Sequence, residues 1–485
     1  MTATTAGAPP PPAPAGPAAR PRTPARAALL RPLWGAAVLA VVPGAAVAAR
    51  IDLVVVALVA GAAAALALVA ACAWRPILAT YVYLLTLPLI AGIDRGNLLP
   101  LVRPNEALLV LVVAGAAVGG YLRLCRGDPW PLRAHPVDVP LVAFVLLYSV
   151  WPIASLMLRG LTPTGAELAS ALPMVKLFGL YLLVRFTVRT EEQVLRCVRF
   201  VVWPGAVIAV IAILQTLRFG PVVTALEAIW SPDATTGEIT DRGTTTLSSP
   251  IATGDVIIIC IVLLVCCSAR NLLGKRERIV LGVVLSGGVL AAGQFSTWIS
   301  AVVAAGLLLW RFPDLRRRAV RLLPFLPVPL LIGAPAFVGR LEGFTDLGLP
   351  VSWLGRWDNL SNFYLPAFGP VNWLIGVSPD SVLDAPETWR DVIYLEAGYL
   401  QFLWIGGIPL LLGFVWLSVA VLRSAARLIP RPDATGAVAT ALQVSWWFVL
   451  VLTVIDPHLT LRGTGDLLFT MLAVTTGSRY ASREP

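Results

Sequence analysis

Charged residues and histidine are scarce in this chain, and their scarcity excludes most classes of soluble enzyme. Asp, Glu, Lys and Arg together make up 13% of the 485 residues, and there are two histidines. The mean hydropathy is +0.81, whereas a soluble protein of this length needs a more polar surface to stay in solution. The sequence therefore predicts a protein that lies largely within a membrane.

The few cysteines and histidines form no pattern typical of a disulfide framework or a zinc site. Four of the six cysteines fall in predicted membrane spans and the other two in predicted cytoplasmic loops, so no exported disulfide is expected. No Cys/His spacing suggests zinc, and there is no Walker loop, GxSxG motif or dinucleotide fingerprint. Any reaction should therefore use a substrate that is already activated.

Apolar segments recur along almost the whole sequence, each close to the ~20 residues that a spanning helix needs. We predict spans at residues 33–49, 53–73, 77–92, 105–122, 139–158, 170–186, 200–217, 250–268, 279–293, 295–310, 322–338, 394–422, 438–455 and 464–477. Several of these segments are short. The expected fold is an all-α polytopic membrane protein with about 12–14 transmembrane helices.

Polar segments flank the predicted membrane domain, residues 33–477. Residues 1–32 are rich in Pro and Ala, cannot bury a core, and are predicted to form a disordered cytoplasmic tail. The segment 33–49 ends in AAVAAR, which faintly resembles a signal-peptidase site. Because a long tail precedes it and further spans follow, we expect an uncleaved first helix. Residues 478–485 are predicted to form a second cytoplasmic tail.

Basic residues concentrate in alternate connecting segments, which indicates the orientation of the chain. The densest are RNLLGKRER (270–278) and RFPDLRRRAVR (311–321). Under the positive-inside rule these segments are cytoplasmic, and the N-terminus is cytoplasmic too. Most acidic residues then fall on the outer side. The pI near 9.7 is explained by topology, and no nucleic-acid partner is expected.

Two predicted outer loops, at about 218–249 and 339–393, are much longer than the other connections. Loops longer than about 12–15 residues are uncommon without a purpose. Since both lie on the same predicted side, they can build one site together.

Four polar stretches at the predicted outer ends of spans resemble a known family when taken in order. They are RPNEALL (103–109), DRGTTTLSSPIATGDV (241–256), LGRWDNLSNFYLPAFGPVNWLIGVSPDS (354–381) and YLEAGYLQFLWIGGIPLLL (394–412). Together they resemble the O-antigen ligase and O-antigen polymerase superfamily of polytopic bacterial membrane glycosyltransferases. The resemblance covers roughly residues 77–475.

This resemblance implies a reaction at the outer face of the bacterial plasma (inner) membrane. A glycan would pass from an undecaprenyl-pyrophosphate carrier to the hydroxyl of a glycan or lipid acceptor, without a metal, nucleotide sugar or other cofactor. A polymerase in surface-polysaccharide assembly is one reading, and a ligase acting on a lipid or protein is another. A transporter of lipid-linked sugars is a third; it predicts inverted repeats and broken helices at mid-depth, and the sequence shows no convincing repeat.

Three arginines are candidates to bind the pyrophosphate, because a guanidinium group is permanently charged and can bind two phosphate oxygens in a bidentate manner. Arg242 matches the first outer arginine of the family, and Arg340 and Arg356 lie in the long loop. Each has a structural alternative. Arg242 could pair with a neighbouring acid, Arg340 could anchor the chain at the interface, and Arg356 could pair with Asp358.

Glu396 is the candidate general base. It lies three residues before Tyr399, where ligases of the family commonly have His, and Ala397 replaces the usual Asn. This departure favours the polymerase reading. The structural alternative is a glutamate in the first turn of a helix, where the helix dipole favours negative charge.

Further candidates lie beside these residues. Thr244 could bind substrate, or the hydroxyls of 244–249 could cap the next helix. Trp357 could stack on a sugar ring or belong to the aromatic belt. Asp255 could hold an arginine, and Lys176 could bind a lipid phosphate. We expect an outer cleft roofed by the 339–393 loop and floored by the fourth, eighth and twelfth spans.

Overall fold

The structure is a computed structural model, and it describes residues 53–94, 102–129, 132–230, 242–293, 295–322, 351–384 and 392–477. Residues up to Ala67 belong to one compact unit and those from Leu68 onward to a second. Helix α1 begins in the first unit. Both predicted tails, the first predicted span, nearly all of the span at 322–338, and Arg340 lie outside the described residues.

The described chain is mainly helical. Its helices are α1 (Leu53–Trp74), α2 (Ile77–Ile90), α3 (Pro104–Cys125), α4 (Asp138–Val145), α5 (Trp151–Leu158), α6 (Gly165–Thr187), α7 (Glu191–Thr216), α8 (Gly220–Ile229), α9 (Pro250–Ala269), α10 (Lys275–Ala292), α11 (Phe295–Arg311), α12 (Pro313–Leu322), α13 (Val351–Asn359), α14 (Leu365–Ile375), α15 (Gly398–Leu428), α16 (Ala434–Leu452) and α17 (Thr464–Thr476). Strands β1 (Val382–Asp384) and β2 (Val392–Tyr394) pair antiparallel, with Leu383 opposite Ile393.

Every predicted span that falls on described residues corresponds to a helix. Seven helical segments are long and apolar enough to cross a membrane: α3, α4–α5, α6, α7, α9, α15 and α16. Helix α2 and part of α1 are shorter and apolar, and the bent pair α11–α12 would make an eighth span if it counts as one. This confirms an all-α polytopic membrane protein. The total of about 12–14 spans stays a prediction.

Helices are favoured here because a lipid environment requires every backbone polar group to be satisfied within the segment. Their starts follow recognisable capping signals. Thr164 and Thr190 each accept a hydrogen bond from the backbone N–H three positions later, and the side chains of Glu167 and Gln193 accept one from the backbone N–H of the cap residue. Asp433 caps α16 through Gly436 N. These boxes fix where each helix begins.

Hydrogen bonds between connections define two ends of the helices in the second unit. At one end, named the basic end, Arg270 after α9 donates to Ile429 O after α15, and Glu191 at the start of α7 accepts from Thr435 N. At the other, named the site end, Arg462 before α17 donates to Gly92 O after α2. Helices α9 and α16 are central, since 78% of the spanning window of each is buried.

Helix α17 is too short to cross a bilayer by itself. Its 13 residues extend ~20 Å, against a hydrocarbon core of ~30 Å. Residues 453–463, which connect α16 to α17 at the site end, are not helical.

The described part of the long 339–393 loop is folded against the helices. Tyr364 donates to Ser381 O at 2.8 Å and to Ile393 O at 3.0 Å. Gly407, inside α15, has φ 67°, and a Cβ there would lie 2.3 Å from Leu374 O. Because glycine alone permits both that backbone and that contact, α14 packs directly on the kink in α15.

Candidate functional site

The hydroxyls of residues 244–249 mainly join loops together at the site end. Ser249 caps α9 by accepting from Ala252 N at 3.3 Å, as the capping hypothesis requires. The others act differently. Thr246 donates to Pro88 O at 2.7 Å, and Ser248 donates to Gly92 O at 3.0 Å. The segment is thus tied to the end of α2 as well as to α9.

Thr244 and Arg242 lie on the side of this segment that packs near α7 and α10. Gln215 Nε2 donates to Thr244 Oγ1 at 2.8 Å, and Gly243 N donates to Ala291 O at 3.2 Å. Arg242 is half-buried, and the acidic neighbours proposed to pair with it lie outside the described residues. No contact between described residues joins Arg242 or Thr244 to Glu396.

Arg356 and Glu396 form an ion pair although 40 positions separate them in the sequence. Arg356 Nε contacts Glu396 Oε2, and Arg356 Nη2 lies 3.3 Å from Asp456 Oδ1. The Arg356 side chain is 24% exposed and that of Glu396 34%. Arg356 therefore bridges two carboxylates, Glu396 and Asp456, in place of the neighbouring pair with Asp358.

Glu396 is positioned by the turn between β2 and α15. Helix α15 begins at Gly398 with Ala397 as its N-cap, so Glu396 precedes the helix and is not a first-turn residue. Gly398 packs tightly, since a Cβ there would lie 2.8 Å from Thr453 Cγ2. This close approach brings Glu396 beside the end of α16.

A cavity of about 420 Å³ opens beside this ion pair. Its lining residues are Arg356, Trp357, Asn359, Leu360, Tyr364, Tyr394, Leu395, Glu396, Ala397, Val454 and Ile455. Its volume is in the range of small-molecule sites, which combine apolar walls with a few placed polar groups. The 339–393 loop contributes to it as expected. Its remaining described lining comes from the end of β2, the residues before α15 and the residues after α16. Helices α3 and α9, the fourth and eighth predicted spans, contribute none.

Trp357 lies on the rim of this cavity and is 62% exposed. Its position suits stacking on a ligand ring, and it suits an aromatic residue at a membrane interface equally well. Its neighbour Arg356 also lines the cavity, and its guanidinium contacts the carboxylates of Glu396 and Asp456.

Asp456 lies behind the cavity and was missed by the sequence reasoning. It is 3% exposed. Burial raises the pKa of Asp456, and the nearby charges of Arg356 and His458 offset part of that rise. Its Oδ1 faces Arg356 at 3.3 Å. Arg356 is consequently held from behind by a buried carboxylate and from the cavity side by Glu396.

Asp255 pairs with a histidine, not with an arginine. Asp255 Oδ2 lies 2.7 Å from His458 Nδ1 and accepts from Thr464 Oγ1 at 3.2 Å. Burial lowers the pKa of His458, but the charge of Asp255 and its hydrogen bond outweigh burial, so the pKa of His458 is raised overall. Charged and hydrogen-bonded partners of this kind favour the imidazolium form.

Asp456, His458 and Thr464 all come from one segment, DPHLTLRGTGD (456–466). Its later residues also bind neighbouring elements. Arg462 donates to Asp94 Oδ1 at 2.5 Å, and Asp466 pairs with Lys176 at 2.9 Å and accepts from Tyr83 at 2.7 Å. Lys176 thus has a structural partner. The density of polar residues in this segment, between two predicted spans, was the signal in the sequence that could have indicated its role.

The arrangement can bind a ligand with apolar and ring surfaces, accept a proton at Glu396 and stabilise an anion at Arg356. Among the described residues, no group of three His, Cys, Asp or Glu side chains is arranged to hold a metal ion. No protein-family model matches this chain, and no curated protein sequence matches it.

Proposed function

We propose that this chain is a polymerase-type membrane glycosyltransferase. It moves a glycan from a polyprenyl-pyrophosphate carrier to a sugar hydroxyl on the outer face of a bacterial plasma membrane, in surface-polysaccharide assembly. The observation that carries the proposal is the Arg356–Glu396 ion pair in the wall of an aromatic-rimmed cavity at the site end. The order of polar motifs in the sequence supports it independently.

The orientation follows from charge. The basic end includes Arg270, Lys275 and the arginine-rich helix α12. Under the positive-inside rule this end is cytoplasmic, and the site end faces outward. A lipid-linked glycan that has crossed the membrane would then reach the cavity from the outer leaflet.

The chemistry uses Glu396 and Arg356 in sequence. The acceptor hydroxyl gives its proton to Glu396 while its oxygen forms a bond to the anomeric carbon. The bond from that carbon to the phosphate oxygen breaks, and the electron pair leaves with the polyprenyl pyrophosphate, which inverts the anomeric centre. Once Glu396 is neutral, the Arg356 charge is available to the leaving group, where such stabilisation contributes most to the rate. Arg242 remains a further candidate for a phosphate at the same end.

A transporter of lipid-linked sugars is the second candidate function. The kink at Gly407 inside the spanning helix α15 favours it, because discontinuous helices are typical of transporter sites. A ligase would use the same chemistry on a different acceptor. These three functions differ in what accumulates when the protein fails.

Gene deletion, complemented with variants, separates these functions. Cells lacking the protein are analysed for carrier-linked glycans, together with their exposure at the outer surface. Single repeat units exposed outside indicate a polymerase, long carrier-linked chains a ligase, and units retained inside a transporter. We expect Glu396→Gln to reproduce the deletion. Glu192→Gln, in an exposed pair at the basic end, should restore wild-type glycans. An unchanged glycan profile in the deletion strain would exclude all three.

A further inference from the structure

Three side chains behind the cavity form a buried titratable cluster that the proposed reaction does not itself use. Asp255 and His458 are fully buried and Asp456 is 3% exposed. Each has one polar atom, Asp255 Oδ1, Asp456 Oδ2 or His458 Nε2, that finds no hydrogen-bond partner among the described residues. Buried polar atoms are normally paired, so each unpaired one calls for an explanation.

The charges in this cluster limit its protonation. Together with Arg356, it contains one permanent cation, two carboxylates and one imidazole. With both carboxylates ionised and the imidazole neutral, the four groups would carry a net negative charge in a buried place. Such a charge is costly, and one additional proton removes it.

We propose that His458 carries this proton as an imidazolium, and that the resulting neutral quartet of Asp255, His458, Asp456 and Arg356 holds Arg356 at the cavity wall. Asp456 is then a positioning residue for Arg356. Glu396 also contacts Arg356, from the cavity side. The positioning of Arg356 for the reaction rests on the proposed function, whereas the proton on His458 does not.

The groups that face His458 come from three parts of the chain. Asp255 lies on α9 and contacts Nδ1 directly, Asp456 lies on the same segment, and the positive Arg356 lies on α13. The two carboxylates favour the imidazolium, and Arg356 opposes it. Each of these influences can be removed by one substitution.

The composition makes His458 directly observable. The chain has two histidines, and His135 lies at the basic end, beside Asp138. Histidine-labelled protein with His135→Gln, reconstituted in nanodiscs, gives one imidazole signal by nuclear magnetic resonance. We expect His458 to be charged at pH 7 and to lose its proton well above the ordinary pKa of ~6.5. A neutral His458 at pH 7 would overturn the proposal.

Substitutions test the origin of that charge. We expect Asp255→Asn to lower the titration midpoint of His458 by about one pH unit or more, and Arg356→Gln to raise it. Asp466→Asn removes an equally buried carboxylate whose partner is Lys176, and it should leave the midpoint unchanged. Arg356 lies at the cavity wall, so its variant tests the coupling even where the Asp255 variant fails to fold. If the titration midpoint of His458 is the same in Arg356→Gln as in the wild type, Arg356 and His458 are not coupled.

Transfer activity tests the positioning role of Asp456. In nanodiscs with a polyprenyl-pyrophosphate-linked oligosaccharide, we expect Asp456→Asn to lower kcat by at least about tenfold and to shift its pH profile, with partial recovery in Asp456→Glu. Equal kcat and pH profiles in the wild type and Asp456→Asn would show that Asp456 does not position Arg356. If the wild type transfers no glycan, the proposed function fails, while the His458 titration still decides the charge of the quartet.

Discussion

Two ion pairs, one at each end of the helices, differ mainly in their access to solvent. At the basic end, Glu192 and Arg196 are 73% and 53% exposed, and pairs of that kind contribute ~0–1 kcal/mol. At the site end, Asp255 and His458 are 1% and 0% exposed. A buried pair is weak evidence for stability, because desolvation offsets its attraction.

Arginines at the basic end have a different use. Arg185 donates to Arg133 O at 2.6 Å and to Asp138 Oδ1 at 2.6 Å, and Arg270 donates to the carbonyl of Ile429 at 3.0 Å. Both guanidiniums bind backbone carbonyls of connecting segments and so fix the ends of helices. At the site end, Arg356 instead bridges the carboxylates of Glu396 and Asp456.

Breaking the buried pair at the site end should have the largest effect on stability. Asp255→Ala leaves a desolvated imidazole without its partner, and we expect a loss of about 3–5 kcal/mol in the free energy of unfolding. Detergent-based unfolding followed by tryptophan fluorescence measures it. The double variant Asp255→Asn with His458→Gln replaces the charges by amides and should recover much of the loss. No recovery would argue against a charged pair.

Removing the cavity carboxylate should have the largest effect on activity with little effect on folding. Glu396 is 34% exposed, so Glu396→Gln keeps the shape of the site and removes the proton acceptor. General-base catalysis contributes about 10²–10⁴-fold, and we expect glycan transfer to fall by a factor in that range. Glu192→Gln is the matched change at the basic end. Equal losses in both variants would exclude a special role for Glu396.

The helices were predictable because apolar length and capping residues are local properties of the sequence. The predicted spans at 105–122 and 170–186 correspond to α3 and α6, with ends displaced by a few residues where polar caps extend the helix. Glu396 and Arg356 were identified from motif order. Their mutual contact was not, because nearby Asp358 was an equally plausible partner of Arg356 on spacing alone.

Asp456 and His458 could not be assigned from the sequence, because their roles depend on three-dimensional neighbours. His458 meets Asp255 across about 200 positions of sequence, a pairing set by the packing of α9 against α16 and α17. The short length of α17 could not be predicted from the sequence either. The apolar run 464–477 predicts a span, whereas the structure gives a helix of 13 residues there.

Replacing the glycine at the kink in α15 should disturb the site end selectively. Gly407→Ala forces a Cβ to 2.3 Å from Leu374 O at a positive φ. Strain of this kind costs about 1–3 kcal/mol, and moving α14 would displace the cavity wall. We expect lower stability and lower transfer. Gly179→Ala, in α6 where a Cβ meets nothing within 4 Å, is the control and should be neutral or slightly stabilising.

The pH dependence of stability should differ between wild type and a variant without His458. The pKa of His458 and that of Asp456 are both raised above their ordinary values, so the folded protein binds more protons than the unfolded chain between each pair of pKa values. Stability is then complete below the unfolded pKa and falls as pH rises through the folded one. We expect Tm to fall as pH rises above ~6.5 and this slope to weaken in His458→Gln. If Tm falls with pH equally in His458→Gln and the wild type, a group other than His458 causes the pH dependence.

The smallest effect on stability is expected from breaking the exposed pair at the basic end, which is the reference for the buried pair at the site end. Glu192 and Arg196 lie one turn apart on α7, where a pair of this spacing contributes ~0.3–0.5 kcal/mol. Glu192→Gln should change the free energy of unfolding by no more than this, and added salt should erase the difference because exposed charges are screened. The loss in Asp255→Ala should persist in salt, since its partner is out of reach of counterions. If added salt removes the loss of stability in both variants, burial does not explain the difference between the two ion pairs.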